Sequence, residues 1–138
     1  MFDTTTEFGA RVESRLRQEK VVWLTTVGAD GTPQPRPVWF LWDGAAFLIF
    51  SQPQTAKLRH IGVRPGVALH LNSDEVGGDI VVFTGRAEVM AGAPPEEAMA
   101  AYLEKYREGI AGLGMTTGSF AAAYHVPIRV TPGRLRGF

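Results

Sequence analysis

The sequence predicts a mainly β fold of the α+β class, a six-stranded antiparallel β-barrel with peripheral helices, and three observations lead there. Runs rich in β-branched and aromatic residues are joined by turn-length Gly, Asp and Pro segments. Helical patterns occur only at a few strand ends, so the strand-helix alternation of a parallel, Rossmann-type sheet is missing. A chain of 138 residues without cysteine is long enough to bury one core without disulfide or metal staples, which makes residues 1–138 a single domain.

Thr4-Thr5-Thr6-Glu7 has the spacing of a capping box, and Phe8, Val12 and Leu16 recur every four residues on one face of the helix it opens. Lys20 to Val27 reads as the first strand, Ala29-Asp30-Gly31 as a turn, and Gln34 to Trp42 as one extended strand. Asp43-Gly44 turns the chain into a third strand ending at Phe50, so the first three strands are expected to form a meander. A helix through Lys57 follows and Arg64-Pro65-Gly66 ends it. Val67 to Leu71 is the fourth strand and Ile80 to Met90, beyond a polar Gly77-Gly78 loop, the fifth. Pro94-Pro95-Glu96-Glu97 opens a helix with proline and acids in its first turn, as the macrodipole favours, and Met99, Tyr102, Leu103 and Tyr106 lie along one side of it. Residues 109–118 are glycine-rich and expected as a loop, 119–124 as a helical turn, and Val126 to Val130 as the last strand.

Composition removes several function classes. Lys plus Arg and Asp plus Glu each number 14, so the basic footprint of a general nucleic-acid binder is absent. No run approaches the roughly 20 apolar residues that span a bilayer, and the polar N-terminus has no apolar h-region, so no membrane partner is expected and a cytoplasmic location is. Without cysteine, neither thiol catalysis nor a zinc-thiolate site is available, and His60, His70 and His125 lack metal-ligand spacing. No metal is expected, and no residue stands out as a catalytic acid, base or nucleophile.

Two segments carry chemistry. Ser51-Gln52-Pro53-Gln54-Thr55-Ala56-Lys57-Leu58-Arg59-His60 places two cations in the first turns of a helix. A helix N-terminus is itself partly positive, so Lys57 and Arg59 there cost roughly a few tenths of a kcal/mol unless an anion joins them. Either both reach solvent and surface carboxylates, or a phosphate sits on the helix end. Gln34-Pro35-Arg36-Pro37 removes two backbone donors from one strand, which fits an irregular edge or an edge that faces a planar ligand. Trp23, Trp39 and Trp42 are by type core or interface residues, and His70 is structural.

In order along the chain, Arg36-Pro37-Val38-Trp39-Phe40-Leu41, Phe50-Ser51, Thr55-Ala56-Lys57, Arg64-Pro65-Gly66-Val67-Ala68-Leu69 and Thr84-Gly85-Arg86-Ala87-Glu88-Val89 resemble the FMN-binding split-barrel family that includes pyridoxamine 5′-phosphate oxidase. The resemblance covers nearly the whole chain. The length and the segment Trp39-Phe40-Leu41-Trp42-Asp43-Gly44 are more similar to the short actinobacterial branch that uses the deazaflavin coenzyme F420. This implies a split-barrel homodimer with a cofactor in each of two clefts at the subunit interface. It implies an oxidoreductase that moves a hydride between F420 and an unidentified small organic substrate. The cofactor carries the hydride, so no ionisable triad is required.

Residue by residue, the resemblance implies that Lys57 and the Thr55 hydroxyl contact the cofactor phosphate, that Arg36 contacts the cofactor, and that the backbone of Pro37, Val38 and Trp39 lies along its ring. Phe50 and Ser51 match the adjacent strand end. Where the oxidase has a second basic residue this chain has Ala56, and Arg59 takes that place from the next turn, with His60 lining the cofactor tail. The oxidase's substrate-binding C-terminal pattern is not evident in residues 131–138, so vitamin B6 oxidation is not implied. Arg134 and Arg136 are either a solvated tail or, as the resemblance suggests, part of a site completed near the partner subunit. The alternatives are an FMN-binding oxidoreductase of the same fold and, from a different class, a flavin- or deazaflavin-binding protein without turnover.

Overall fold

The computed structural model describes residues 2–138. Along the chain run α1 (Glu7–Gln18), β1 (Val22–Val27), β2 (Pro33–Val38), β3 (Leu41–Trp42), β4 (Phe47–Ser51), α2 (Ala56–Val63), β5 (Gly66–His70), β6 (Val81–Val89), α3 (Glu96–Lys105), α4 (Arg107–Gly112), α5 (Thr117–Ala123) and β7 (Val126–Gly137). The described strands form one antiparallel sheet in the order β2-β1-β5-β6-β7-β4-β3.

That order dictates the shape. β2 and β3 are the two edges, yet only Trp39 and Phe40 separate them in the chain. Six strand spacings of about 4.8 Å would set the edges of a flat sheet roughly 29 Å apart. The chain from Val38 to Leu41 reaches only about 10 Å. The sheet therefore rolls on itself into a split barrel, and the split lies at Trp39-Phe40.

The strand expected over residues 34–42 is thus two strands, giving seven rather than six. The break has a local cause. The Phe40 N–H donates to the Tyr106 hydroxyl at 2.9 Å, and the Phe40 carbonyl accepts from Lys105 Nζ at 2.9 Å. Both backbone groups of Phe40 are thus taken by the end of α3 instead of a neighbouring strand. The expected three-strand meander reduces to two hairpins, β1-β2 and β3-β4, and β4 then pairs with β7. Edge placement also accounts for the prolines of β2. Pro33, Pro35 and Pro37 occupy every second position, so their missing N–H groups all face the open edge while the alternate residues serve the ladder to β1.

Three further expectations are corrected. The cap of α1 is Thr6, whose hydroxyl accepts from the Gly9 N–H at 3.0 Å, not Thr4. Within the expected loop 109–118, the chain continues α4 to Gly112. The last strand runs to Gly137, so Arg134 and Arg136 are ladder residues opposite Thr84 and Val82 rather than a tail.

The barrel interior is filled by Val22, Leu24, Phe47, Ile49, Leu69, Phe83, Ile128 and Val130, with Val12 and Leu16 of α1 closing one end. A second apolar cluster, Phe50, Tyr102, Tyr106, Ile110 and Phe120, joins α3, α4 and α5 to the barrel beside the split. No helix is long and apolar enough to cross a membrane among the described residues.

Candidate functional site

A cavity of about 350 Å³ opens at the split. β2 and the break supply Arg36, Pro37, Val38 and Trp39, β4 supplies Ile49 and Phe50, and the first turn of α2 supplies Lys57. Tyr102, Leu113, Phe120 and Tyr124 close it from the helical side. Trp39 is held by stacking, with its ring 4.5 Å from that of Tyr106 at an interplanar angle of 3° and 5.6 Å from that of Phe120. Phe120 in turn stacks on Tyr124 at 4.3 Å. Burial pushes the Tyr102 and Tyr106 phenols well above their ordinary range, so both remain neutral hydroxyls near pH 7.

The electrostatics of this cavity are unbalanced. Among the described residues the ion pairs are made by Arg11, Arg15, Arg17, Arg107 and Arg129, and neither Arg36 nor Lys57 takes part in one. The Arg36 Nε is buried with no hydrogen-bond partner. Lys57 is half-buried, and that burial, with repulsion from Arg36 second, holds its pKa below the usual lysine range. Two unneutralised cations facing one cavity are costly unless an anion sits between them.

The backbone adds to this positive field. Thr55 is the N-cap of α2, but its side chain caps no N–H; its hydroxyl shares a 3.1 Å hydrogen bond with Ser51 Oγ. The first N–H groups of α2 are therefore left without a side-chain acceptor.

Of the residues singled out in the sequence, the cavity brings together Arg36, Pro37, Val38, Trp39, Phe50 and Lys57. Ser51 ends β4, Thr55 is the N-cap of α2 and Ala56 its first residue, and none of the three is in the cavity lining. Arg59 is exposed and donates to the Gln54 carbonyl at 3.0 Å, bracing a residue at φ 63°. His60 is turned to β1, where its Nδ1 and the Thr26 hydroxyl share a 2.9 Å hydrogen bond. Sequence reasoning left out the helical wall. The four-residue spacing of Phe120 and Tyr124 was the available signal, since it puts both rings on one face of α5 and its cap.

Gly109 sets the position of Trp39. A methyl group there would lie 3.0 Å from Trp39 Cζ2 and 3.1 Å from Cη2. Gly109→Ala should gain about 1 kcal/mol of helix propensity and lose a similar amount by displacing the indole. The expected outcome is a nearly unchanged melting temperature. A thermal melt checks it: a drop of several degrees would show that Trp39 cannot move aside.

The sequence model for pyridoxamine 5′-phosphate oxidase matches residues 8–136. No curated protein matches the chain significantly. Among solved structures, an F420 reductase is 26% identical and superposes with a TM-score of 0.68 over 90% of this chain and 94% of its own. Rv2991 from Mycobacterium tuberculosis superposes with a TM-score of 0.73 at 20% identity, covering 95% of this chain and 82% of its own. The heme-storage protein HutZ from Vibrio cholerae gives 0.70 at 18% identity, covering 96% and 95%. The last two share the fold alone. With the split barrel, the cavity at its split and a family match over almost the full length, the chain belongs to the pyridoxamine 5′-phosphate oxidase family.

Proposed function

We infer that the protein is an F420-dependent reductase working as a homodimer on a small organic substrate. The observation that carries this reading is the Arg36 and Lys57 pair, two cations without a counter-anion at the wall of an aromatic-lined cavity. A cofactor with a phosphate and a flat apolar ring system fits that donor set. Lys57 and Arg36 would hold the phosphate at the start of α2, and Pro37 to Trp39 with Phe50 would flank the ring. When bound, the deazaflavin supplies a hydride donor or acceptor.

The chain's own residues bind, orient and exclude water. Trp39, Phe120 and Tyr124 form a stacked wall that limits solvent on the helical side, and Ile49 and Phe50 do the same from the barrel. The 26% identical F420 reductase supports the deazaflavin over FMN. Titration of the purified protein should show tighter binding of F420 than of FMN; equal or reversed affinities would make FMN the cofactor.

The open edge supports the dimer reading. β2 cannot extend the sheet into another strand, because its three prolines have no N–H to offer, so a partner subunit would cover the edge with side chains and complete the cleft. Sedimentation at micromolar concentration should give a dimer, and a monomer alone would remove the shared cleft.

A further inference from the structure

The turn from β4 into α2 is built unlike an ordinary helix start. Gln54 stands at φ 63°, a left-handed backbone that a glutamine adopts only under constraint. Its carbonyl is held by Arg59, five positions on in α2, whose guanidinium donates to it at 3.0 Å. Arg59 is otherwise exposed, makes no ion pair among the described residues and is not in the lining of the cavity at the split. A direct contact to the phosphate therefore does not account for it.

The hydroxyls of the same turn have a fixed direction. Ser51 Oγ carries one proton and gives it to the Gln52 carbonyl at 2.7 Å, so in its 3.1 Å bond with Thr55 Oγ1 the threonine is the donor. Thr55 is thereby turned back toward β4. A threonine at an N-cap ordinarily swings its oxygen over the helix end and accepts from the second or third N–H. Here the N–H groups of Ala56, Lys57 and Leu58 have no acceptor among the described residues. The first backbone bond of the helix, from the Arg59 N–H to the Thr55 carbonyl, is long at 3.4 Å. One strained residue and three free donors thus stand side by side, and a relaxed turn with Thr55 over the helix end would remove both costs. Arg59 is the side chain that bonds the strained residue.

We propose that Arg59 is a positioning residue of the phosphate site: by holding the left-handed turn at Gln54 it keeps the first N–H groups of α2 uncapped and open to a phosphate, without touching the phosphate itself. This rests on the placement of a cofactor phosphate at Lys57 and Arg36. Without the Arg59 contact, Gln54 relaxes to a negative φ, the Thr55 hydroxyl leaves Ser51 and caps α2, and the open turn becomes a fraction of the population. Affinity falls by that fraction. The Thr55 hydroxyl then serves the turn and not the ligand, since its proton is already given to Ser51.

The test is a double-mutant cycle on the full chain, titrated with F420 and in parallel with FMN, with Lys57→Ala as the reference and thermal melts to show that each variant folds. Salt at about 0.15 M screens the bare charge of an exposed arginine. Arg59→Ala should weaken binding about fivefold, the effect of losing most of the open turn. Gln54→Gly should bind like the parent, because glycine holds φ 63° unaided, and adding Arg59→Ala to it should cost less than about twofold. Equal losses from Arg59→Ala in the two backgrounds would show that Arg59 acts on the ligand directly and overturn the proposal. Unchanged affinity in Arg59→Ala beside a clear loss in Lys57→Ala would overturn the brace and leave the phosphate at Lys57. Unchanged affinity in both variants would move the phosphate elsewhere and overturn that placement and the proposal together.

Discussion

Lys57→Ala should weaken cofactor binding by about ten- to a hundredfold and leave folding almost untouched. A charge-assisted contact to phosphate is worth about 1.5–3 kcal/mol, which sets the size of the loss. The small folding effect follows from the surroundings of the Lys57 ammonium, which is half-buried, repelled by Arg36 and placed at the positive end of α2. Its folded pKa lies below the unfolded value, so the charged form opposes folding. The cofactor-free variant should therefore melt at the same or a slightly higher temperature at neutral pH. That advantage should fade as pH rises through the lowered folded value and vanish above about 10.4, where the unfolded lysine is neutral as well. With the phosphate bound the sign reverses, because the anion then holds the charge. Unchanged affinity in a titration, or a large loss of stability without cofactor, would make Lys57 structural and move the phosphate elsewhere.

What could be read in the sequence and what could not differ in physical kind. The alternation of β-branched residues and the short Gly-Asp turns announce antiparallel strands because both are local signals, and the family resemblance supplied the order Arg36 to Trp39, Ser51 and Lys57. The break at Phe40 was invisible because its cause is Tyr106 and Lys105, more than 60 positions away. α4 was hidden by Gly109 and Gly112, which depress helix propensity, yet Gly109 is there because Trp39 leaves no room for a side chain. The end of β7 was misread for a related reason. Pro132 and Gly133 look like a turn, but they lie at the register shift opposite Gly85, and the strand continues through them. Arg59 and His60 were placed near the phosphate by proximity in sequence to Lys57. On a helix a residue two positions on, such as Arg59, points to another face and here reaches Gln54, while His60, three positions on, is drawn away by its hydrogen bond to Thr26 on β1, a tertiary contact.

Gly85→Ala should destabilise the protein by about 3 kcal/mol, a drop in melting temperature of roughly 10 °C for a chain of this size. β6 and β7 form the longest ladder in the sheet, and its register shifts between Thr84 and Gly85, so that Gly85 faces Pro132 while Thr84 faces Arg134. A methyl group at Gly85 would lie inside van der Waals contact of the Thr131 carbonyl oxygen, 3.0 Å from Pro132 Cα and 3.1 Å from the Thr131 carbonyl carbon. All three are backbone atoms that no rotamer change can move, so the strands must separate. Gly133, the extra residue across the ladder, provides the control. A methyl group there meets only the Thr84 carbonyl oxygen at an ordinary 3.7 Å, and Gly133→Ala should stay within about 0.5 kcal/mol of the parent. The bulge also adds local bend and twist to β6-β7, which carries β4 and β3 around toward β2. Any Gly85→Ala protein that does fold should therefore hold Trp39 and Lys57 less well aligned and bind cofactor more weakly than its melting temperature alone would suggest. Parallel thermal melts and cofactor titrations of the two variants decide it: equal stabilities would show that the close approach at Gly85 relaxes without cost and that the curl of the sheet has another origin.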